Sequence, residues 1–380
     1  MASPTGRAAK RMHDASSFNA STIHKALGYN PNGSFMYDNM HIMSYSLVII
    51  DEASMLDVLL AESLFSALSN SCQIILIGDS NQLPAVGPGN LLSDVINSNI
   101  FKVTRLNQIM RQEEGSNIIK LSSMVLQKRI DYRIFSNKKE VFLYPCDTKN
   151  IMDLLFKLLD NFIEKGGDLQ KGIQILIPMY KGPAGIDEIN KRIQEKYNDS
   201  TNFITRDDRT FKVGDKVIQT KNDHDLDIMN GDLGKIIDIS KDEKNHDLLI
   251  INFDERIVRY PVSNIDSLQL AYAISIHKAQ GSEFPNVIIP LLKSYNIMLK
   301  PKLIYTAITR AKEKVIILGN KDAIDFGLSQ KDDLRQTTLT ARINDTMNEK
   351  IYNKILDPSI PFDTFGEYDM DGITPYTFME

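Results

Sequence analysis

The sequence is poor in the features that mark disulfide-bonded, zinc-binding and membrane proteins. Only two cysteines occur among its 380 residues, Cys72 and Cys146, and no metal-ligand spacing surrounds them. This excludes a disulfide framework and a structural zinc site, and a reducing compartment, the cytoplasm, is expected. The longest apolar runs, such as Val287–Leu292, are far shorter than the roughly 20 residues of a membrane span, so no membrane association is expected.

A second absence concerns phosphate binding. The string GxxxxGK[ST], which forms a glycine-rich phosphate cradle between a strand and a helix, occurs nowhere from Met1 to Glu380. The first residues lack acid before Asp14 and are rich in Arg, Ser and Ala, as in an organelle transit peptide. The same residues have a second interpretation, because they form the first motif of the series described below.

The composition is that of a folded protein with more than one domain. With 42% hydrophobic and 24% charged residues in 380 positions, the chain can fill two or three domain cores. The net charge of −5 argues against a surface with general affinity for nucleic acid. A locally basic groove can exist on an acidic chain, so charge neither establishes nor excludes DNA as a partner.

Two apolar strands give the strongest local signal. Leu47–Ile50 and Ile74–Ile77 are unbroken apolar runs, typical of parallel strands covered on both faces, and Met55–Ser69 between them suits a crossover helix. Together they predict one βαβ unit.

Polar residues follow each of these strands. Asp51 and Glu52 come after the first, an arrangement in which one carboxylate holds Mg²⁺ and the next activates a water molecule. Asp79 and Gln82 come after the second, where a carboxylate and an amide can sense a terminal phosphate. The alternative for Asp51–Glu52 alone is a solvated strand end.

A second α/β region follows. A strand runs into Gly182-Pro183, a turn and helix-start signal, and a helix is predicted over Ile186–Tyr197. Buried strands at 286–292 and 314–319 flank a helical stretch at 302–312. The sequence therefore predicts an α/β fold with two parallel sheets.

The stretch 211–268 has a different pattern from its surroundings. Turn residues separate the short strand-like runs Lys216–Thr220, Gly234–Ile239, Leu248–Phe253 and Ile257–Tyr260. This predicts a small antiparallel barrel inserted in the second α/β domain. The turn residues around Pro31 predict a short projecting hairpin.

Seven motifs then occur in a recognisable order. They are PTGRAAKRM (Pro4–Met12), TIHKAL (Thr22–Leu27), DEAS (Asp51–Ser54), GDSNQLPAVGPG (Gly78–Gly89), LNQIMRQ (Leu106–Gln112), HKAQGSEFPNV (His277–Val287) and YTAITRAK (Tyr305–Lys312). This series resembles superfamily 1 DNA helicases of the RecD-like, 5′→3′ translocating branch. The ending ITPYTFM is also similar to that of the bacterial RecD-like proteins that act outside RecBCD. The resemblance extends from Ala2 to about Gly319.

The resemblance implies a site for ATP and Mg²⁺. Asp51 would hold Mg²⁺, Glu52 would be the general base, and Gln82, beside Asp79, would link the γ-phosphate to DNA-dependent movement. Further residues implied at the nucleotide are Arg111, Gly281, Glu283 and Arg310. The two arginines would reach the γ-phosphate, whereas the alternative for each alone is a surface salt bridge.

The resemblance also implies a single-stranded DNA path. The implied contacts are Pro4, Thr5, Arg7, Thr22 and His24 in the first domain and Lys181, Ser275 and His277 in the second. For the two histidines the alternative is an ordinary capping or core residue. For Lys181 the alternative is the Gly182-Pro183 turn, whose chemistry accounts for the segment without DNA.

The implied fold has two RecA-like parallel-sheet domains, an inserted SH3-like β-barrel and a short β-hairpin pin. The expected limits are 1–115 for the first motor domain, with the hairpin near 28–43; 116–170 for a helical connector; 171–211 and 266–342 for the second motor domain; 212–265 for the barrel; and 343–380 for an acidic tail with little regular structure.

The departure from the family pattern lies at the start. Family members have a phosphate-loop strand and helix before PTGRAAKRM, so we expect an incomplete first domain, truncated before that loop. Two functions stay open. The first is an ATP-dependent helicase that acts on single-stranded DNA and duplex junctions in repair or recombination, as a monomer, with a protein partner at the C-terminal tail. The second is a remnant that binds DNA or a partner without hydrolysing ATP.

Overall fold

The computed structural model describes residues 1–30, 32–106, 116–137, 139–223, 225–254, 256–332 and 335–356. The chain divides into two compact units. The first comprises Met1–Asn107 and Asp333–Glu380, and the second Gln108–Asp332.

The first unit is built on a parallel sheet. Before the chain enters the second unit, the elements of the first are β1 (Ala2–Ser3), α1 (Gly6–Ser16), β2 (Ser21–Thr22), α2 (Ile23–Ala26), β3 (Leu47–Ile50), α3 (Val58–Ser66), β4 (Gln73–Leu76) and α4 (Leu91–Ser98). The strand order is β2-β1-β3-β4, and all three pairings are parallel. The βαβ unit predicted around α3 is therefore confirmed. Its helix starts where the Asp57 carboxylate accepts a hydrogen bond from the backbone N of Leu60 at 2.9 Å.

The core of this unit lies beneath β3. Ile50, Leu56 and Leu64 are almost fully buried. The prediction that both apolar strands are covered on both faces is wrong for β4. Its Ile74 and Ile75 point to opposite faces and are 41% and 46% exposed, so neither face of this edge strand is fully covered within the described part of the chain.

The second unit contains a parallel and an antiparallel sheet. Its elements are α5 (Asn117–Leu126), β5 (Val141–Tyr144), α6 (Ile151–Glu164), β6 (Ile173–Ile177), α7 (Ile186–Tyr197), β7 (Phe203–Arg206), β8 (Arg209–Lys212), β9 (Lys216–Gln219), β10 (Leu233–Lys241), β11 (Asp247–Phe253), β12 (Arg256–Pro261), β13 (Leu268–Leu270), β14 (Ala273–Ser275), β15 (Phe284–Pro290), α8 (Pro301–Ile308), β16 (Ala311–Leu318) and α9 (Lys321–Ser329). The parallel order is β14-β6-β15-β16-β5, and the antiparallel order is β12-β11-β10-β9-β13. Both sheets predicted for this region are present.

The antiparallel sheet is inserted between α7 and β14. It encloses its own core, in which Phe211, Val217, Ile251 and Tyr260 are almost fully buried. The chain returns from this sheet along β13, which only Ala271 and Tyr272 separate from β14.

A buried carboxylate joins the inserted sheet to α7. Asp215 is 0% exposed and accepts hydrogen bonds from Gln194 Nε2, Asn198 Nδ2 at 2.7 Å, the backbone N of Lys212 at 2.7 Å and the hydroxyl of Tyr272 at 2.9 Å. Despite these donors, burial raises the pKa of Asp215 above its usual range. One side chain thus ties the base of the inserted sheet to α7 and to the returning strand.

Two expected segments differ from the structure. The stretch 116–170 is not only a helical connector, because β5 pairs with β16 as a strand of the parallel sheet. The tail expected over 343–380 begins inside a helix, α10 (Leu339–Leu356), which packs against α4, and Leu339 reaches the core of the first unit. Residues 357–380 lie outside the described part of the chain.

The turn predicted around Pro31 closes on itself. An antiparallel bridge joins Tyr29 to Phe35, and the backbone N of Asn30 donates to the carbonyl of Ser34 at 2.8 Å. The projection is thus a short turn; Pro31 itself lies outside the described residues. Among the helices that the structure describes, none combines the length and apolar character needed to cross a membrane.

Candidate nucleotide and DNA site

The acidic residues predicted for metal and water chemistry lie at neighbouring strand ends. Asp51 and Glu52 follow β3, and Asp79 and Gln82 follow β4, which is parallel to it. The two ends are joined where the backbone N of Ala53 donates to the carbonyl of Ile77 at 2.8 Å. Gln82 is 9% exposed, and its Nε2 is 3.5 Å from Asp79 Oδ2. The structure therefore brings these four side chains to one edge of the sheet.

Glu52 has an unusual backbone. Its φ of 54° lies in the left-handed region, which a non-glycine residue adopts at a cost. Its backbone N donates to Asp51 Oδ1 at 2.8 Å, and its Oε1 is 3.5 Å from Arg11 Nη2 on α1. This conformation turns the Glu52 side chain toward α1, where it is 13% exposed.

The geometry around Asp51 suits a magnesium ion. The hydroxyl of Ser54, three positions after Asp51, is buried and has no hydrogen-bond partner among the residues that the structure describes. A Cβ on Gly78 would lie 3.0 Å from the backbone N of both Ala53 and Ser54, so only glycine lets β4 approach this closely. Mg²⁺ is commonly bound by one or two carboxylates together with substrate phosphates. The residues therefore fit the metal, whereas the sequence contains no GxxxxGK[ST] cradle for the phosphates.

The residues predicted to contact DNA in the first unit lie on the other half of the same edge. Pro4, Thr5 and Arg7 follow β1, and Thr22 ends β2, the strand farthest from β4. Both threonines also cap helices: Thr5 Oγ1 accepts from Ala8 N at 3.4 Å and Thr22 Oγ1 from Lys25 N at 3.2 Å. The predicted DNA contacts thus follow β1 and β2, and β1 lies directly beside β3, the strand that Asp51 and Glu52 follow.

His24 belongs to an aromatic cluster. Its ring lies edge-on to Tyr29 with centroids 5.6 Å apart, and 6.0 Å from the ring of Phe35. These are the two residues that close the turn around position 31. His24 therefore packs against the base of that turn, at the half of the edge where DNA contacts are predicted.

In the second unit, the predicted DNA contacts lie at the carboxyl ends of β6 and β14. Ser275 is buried, and its Oγ accepts from the backbone N of Lys278 at 3.2 Å and is 3.5 Å from the Tyr180 hydroxyl. Tyr180 is 39% exposed, with Lys278 Nζ 5.8 Å from its ring centroid. Lys181 and His277 are exposed beside them. An exposed aromatic ring next to lysines suits stacking on a nucleic-acid base.

The predicted nucleotide contacts of the second unit lie at the opposite, amino edge of the sheet. Gly281 and Glu283 precede β15, and Arg310 precedes β16. Arg310 is 1% exposed, and its Nη1 donates to the carbonyl of Ser282 at 3.2 Å and its Nε to that of Thr306 at 3.2 Å. Arg310 is therefore not a surface salt bridge, whereas Glu283 Oε2 does lie 3.2 Å from Lys312 Nζ.

One predicted site residue cannot be placed, and three residues near the site were not predicted. Arg111 lies outside the described residues. Sequence reasoning did not single out Arg11, Ser54 or Lys278 as functional, although all three fall within motifs quoted for the resemblance. Arg11 follows Arg7 at the helical i, i+4 spacing, a pattern that could have indicated it.

Comparison with known families identifies the chain. The profile described as "AAA domain" matches residues 1–137, "ATP-dependent RecD-like DNA helicase SH3 domain" matches 189–253, and "UvrD-like helicase C-terminal domain" matches 270–318. The ATP-dependent RecD2 DNA helicase of Deinococcus radiodurans is 31% identical over 347 residues, which cover 90% of this chain and 46% of the relative. The chain belongs to the RecD-like superfamily 1 helicases. Its two parallel sheets are accordingly RecA-like, and its inserted sheet is SH3-like.

Other RecD-like relatives and solved structures agree with this family. The RecD subunit of the RecBCD enzyme of Buchnera aphidicola subsp. Schizaphis graminum is 28% identical and covers 79% of this chain and 58% of its own length. The chain thus spans about half the length of the curated relatives it matches.

Among solved structures, two coordinating Pif1 helicases at forked duplex DNA give a TM-score of 0.52 at 18% identity, covering 92% of this chain and 86% of that one. Pif1 from Bacteroides with ADP-AlF3 and single-stranded DNA gives 0.50 at 19% identity, covering 92% and 87%. At 18–19% identity, the likeness to these two structures shows a shared fold and nothing more.

Proposed function

We propose that this RecD-like chain forms the motor of an ATP-dependent DNA helicase that moves 5′→3′ along single-stranded DNA. The observation that carries the proposal is the junction of Asp51–Glu52 with Asp79–Gln82 at two adjacent parallel strand ends. Carboxylates and an amide at the carboxyl edge of a parallel sheet are suited to metal–nucleotide chemistry. A sequence relative named as an ATP-dependent DNA helicase supports the same assignment.

Different residues of the first unit would have different roles in ATP hydrolysis. Asp51 would hold Mg²⁺ through its carboxylate, with the Ser54 hydroxyl beside it. Glu52 would accept a proton from the attacking water, and its Oε1 lies 3.5 Å from Arg11 Nη2. Magnesium, when bound, neutralises charge on the phosphate oxygens. Gln82 and Asp79 would report the phosphate state to the loop that follows them.

Arg310 would complete the charge stabilisation. Its guanidinium is held by the carbonyls of Ser282 and Thr306, so its position is fixed by the peptide segment around Gly281 and Glu283. Transition-state arginines can contribute on the order of 10³–10⁵ in rate. Arg111 would be the second such residue.

The DNA path would use both carboxyl edges. In the first unit it would follow β1 and β2, with Arg7 and Thr5, and in the second unit Tyr180, Lys278 and His277. Binding would therefore combine stacking with phosphate contacts and would weaken as salt rises. We further propose duplex junctions as substrates, a role in repair or recombination, a monomeric cytoplasmic protein and a partner for the C-terminal tail.

The test is ATP hydrolysis by this chain with and without single-stranded DNA. We expect DNA-stimulated turnover that Glu52→Gln lowers by about 10²–10⁴-fold, since a general base contributes that much, and that Arg310→Ala also lowers. An exposed control, Arg133→Ala, should leave the rate unchanged, because Arg133 pairs with Asp131 at the surface. Turnover that persists in Glu52→Gln would contradict the assignment.

The second candidate is DNA binding without turnover. The sequence observation that favours it is the lack of GxxxxGK[ST] among the 380 residues. If the chain binds single-stranded DNA but hydrolyses no ATP, while Glu52→Gln binds DNA equally well, this second function is supported and the first is not.

A further inference from the structure

An arginine from the returning segment holds the loop that follows Gln82. After the second unit the chain comes back to the first, and Arg335 Nη1 donates to the carbonyls of Gly87 and, at 2.8 Å, of Gly89. Its Nη2 donates to the carbonyl of Ala85. One half-buried guanidinium thus binds three alternate carbonyls of the Ala85–Gly89 loop. The planar, multi-donor shape of arginine allows this, whereas a lysine offers a single charged point.

The same loop is packed closely against the start of α3. A Cβ on Gly87 would lie 2.2 Å from Asp57 Oδ2, and a Cβ on Gly89, whose φ is +88°, would lie 2.3 Å from Val58 Cγ1. The backbone N of Val58 donates to the carbonyl of Pro88 at 3.1 Å. The loop therefore lies between Arg335 and α3, and two glycines are needed for this approach.

The returning segment is itself anchored. Thr337 Oγ1 donates to Asp94 Oδ1 at 2.7 Å, and Thr340 Oγ1 donates to the carbonyl of Asp94 at 3.2 Å. Asp94 is 6% exposed on α4, and Leu339 packs against the core of the first unit. The position of Arg335 is thus fixed from α4, independently of the loop that it holds.

We propose that Arg335 is a positioning residue for the segment Asp79–Gly89, which contains Gln82 and the Ala85–Gly89 loop. Arg335 fixes the Ala85–Gly89 loop against α3. Asp79 and Gln82 directly precede this loop, whereas Asp51 and Glu52 precede α3. The contact therefore sets the position of the first pair relative to the second. This inference rests on the proposed function for the role of Gln82. The claim that Arg335 fixes the Ala85–Gly89 loop can be tested on this chain whether or not it hydrolyses ATP.

The experiment is native-state hydrogen exchange of the whole chain, with amides of Asn81, Gln82 and Val58 as reporters. Asn81 N donates to Asp79 Oδ1 at 2.9 Å, Gln82 N to the Asp79 carbonyl at 3.1 Å and Val58 N to Pro88. In Arg335→Ala we expect these amides to exchange about tenfold faster or more, since hydrogen bonds from a charged group are lost. Arg335→Lys should restore little of the protection. Amides of β3 should be unaffected.

The control is Thr337→Val, which removes a hydroxyl that contacts Asp94 and leaves Arg335 in place. It should raise exchange in α4 more than in the loop. Equal acceleration across the first unit in Arg335→Ala, or none at the three reporters, would overturn the proposal. In the hydrolysis assay, Arg335→Ala should lower kcat with little change in KM, which a general loss of folding would not do. If the wild-type chain binds neither nucleotide nor DNA, the proposed function fails, while the exchange comparison still decides the role of Arg335.

Discussion

Replacing Asp215 by alanine should loosen the inserted SH3-like sheet more than any surface change in that sheet. The carboxylate accepts from four donors and is 0% exposed. Two of the donors retain another acceptor after the change: Gln194 Nε2 also donates to the carbonyl of Thr210 at 2.9 Å, and Asn198 Nδ2 to that of Val213 at 3.1 Å.

The other two donors lose their only described acceptor. They are the backbone N–H of Lys212 and the hydroxyl of Tyr272. A buried donor left without an acceptor costs about 1–3 kcal/mol, so the pair costs about 2–6 kcal/mol. Removal of a buried carboxylate offsets part of this cost, because burial disfavours its charged form. We therefore expect a net loss of about 2–4 kcal/mol, against a typical domain stability of about 5–15 kcal/mol.

Hydrogen exchange at β9–β11 reports this loss locally, which matters because a chain with two units need not unfold in one step. The matched control is Asp238→Ala, since Asp238 lies exposed on β10 and its Oδ1 accepts only from the backbone N of Ile239 among the described contacts. The control should change stability by less than about 0.5 kcal/mol. A loss of under about 1 kcal/mol in Asp215→Ala, equal to that of the control, would refute the claim that this carboxylate organises the junction.

Three further outcomes are expected. Gly78→Ala should destabilise the first unit by about 1–3 kcal/mol, because its Cβ would lie 3.0 Å from backbone nitrogens after Glu52, and urea unfolding measures this. Tyr180→Ala should weaken single-stranded DNA binding by about 1–3 kcal/mol for each stacked base lost, whereas Phe203→Ala should not, as fluorescence anisotropy can show. Because the folded pKa of Asp215 is raised, its contribution to stability is present below the unfolded pKa near 3.8 and is lost as pH rises through the folded pKa. The unfolding free energy of wild type minus that of Asp215→Asn should therefore fall from pH 4 to pH 7; a rise would show that the hydrogen bonds outweigh burial.

Much of the α/β fold could be predicted from the sequence, because its signals are local. The helix predicted over Ile186–Tyr197 has those limits in the structure. The first predicted strand likewise spans Leu47–Ile50. Apolar runs and turn residues determine such elements within a few positions, and little tertiary information is needed.

The residues that the sequence did not reveal depend on distant partners. Asp215 follows a glycine and has the pattern of an ordinary turn residue, and its burial depends on Gln194 and Tyr272, the latter 57 positions away. Arg335 contacts carbonyls about 250 positions earlier in the chain. Such contacts depend on how elements pack, which periodicity and motif spacing do not encode.

The candidate site shows the same division. The motif order placed Asp51, Glu52, Asp79 and Gln82 on adjacent strand ends, as the sheet has them. It did not predict that Arg310 would be almost fully buried and held by backbone carbonyls. Motifs specify which residues meet, whereas the rotamer and burial of a long side chain follow from its surroundings.

The most direct test of the account measures single-stranded DNA affinity with and without magnesium and a non-hydrolysable ATP analogue. If one chain couples a nucleotide site at Asp51 to a DNA path, the analogue should change the DNA dissociation constant about fivefold or more, and Asp51→Ala should abolish the change. DNA affinity that is the same with and without saturating nucleotide, or no nucleotide binding at all, would contradict the motor assignment for this chain.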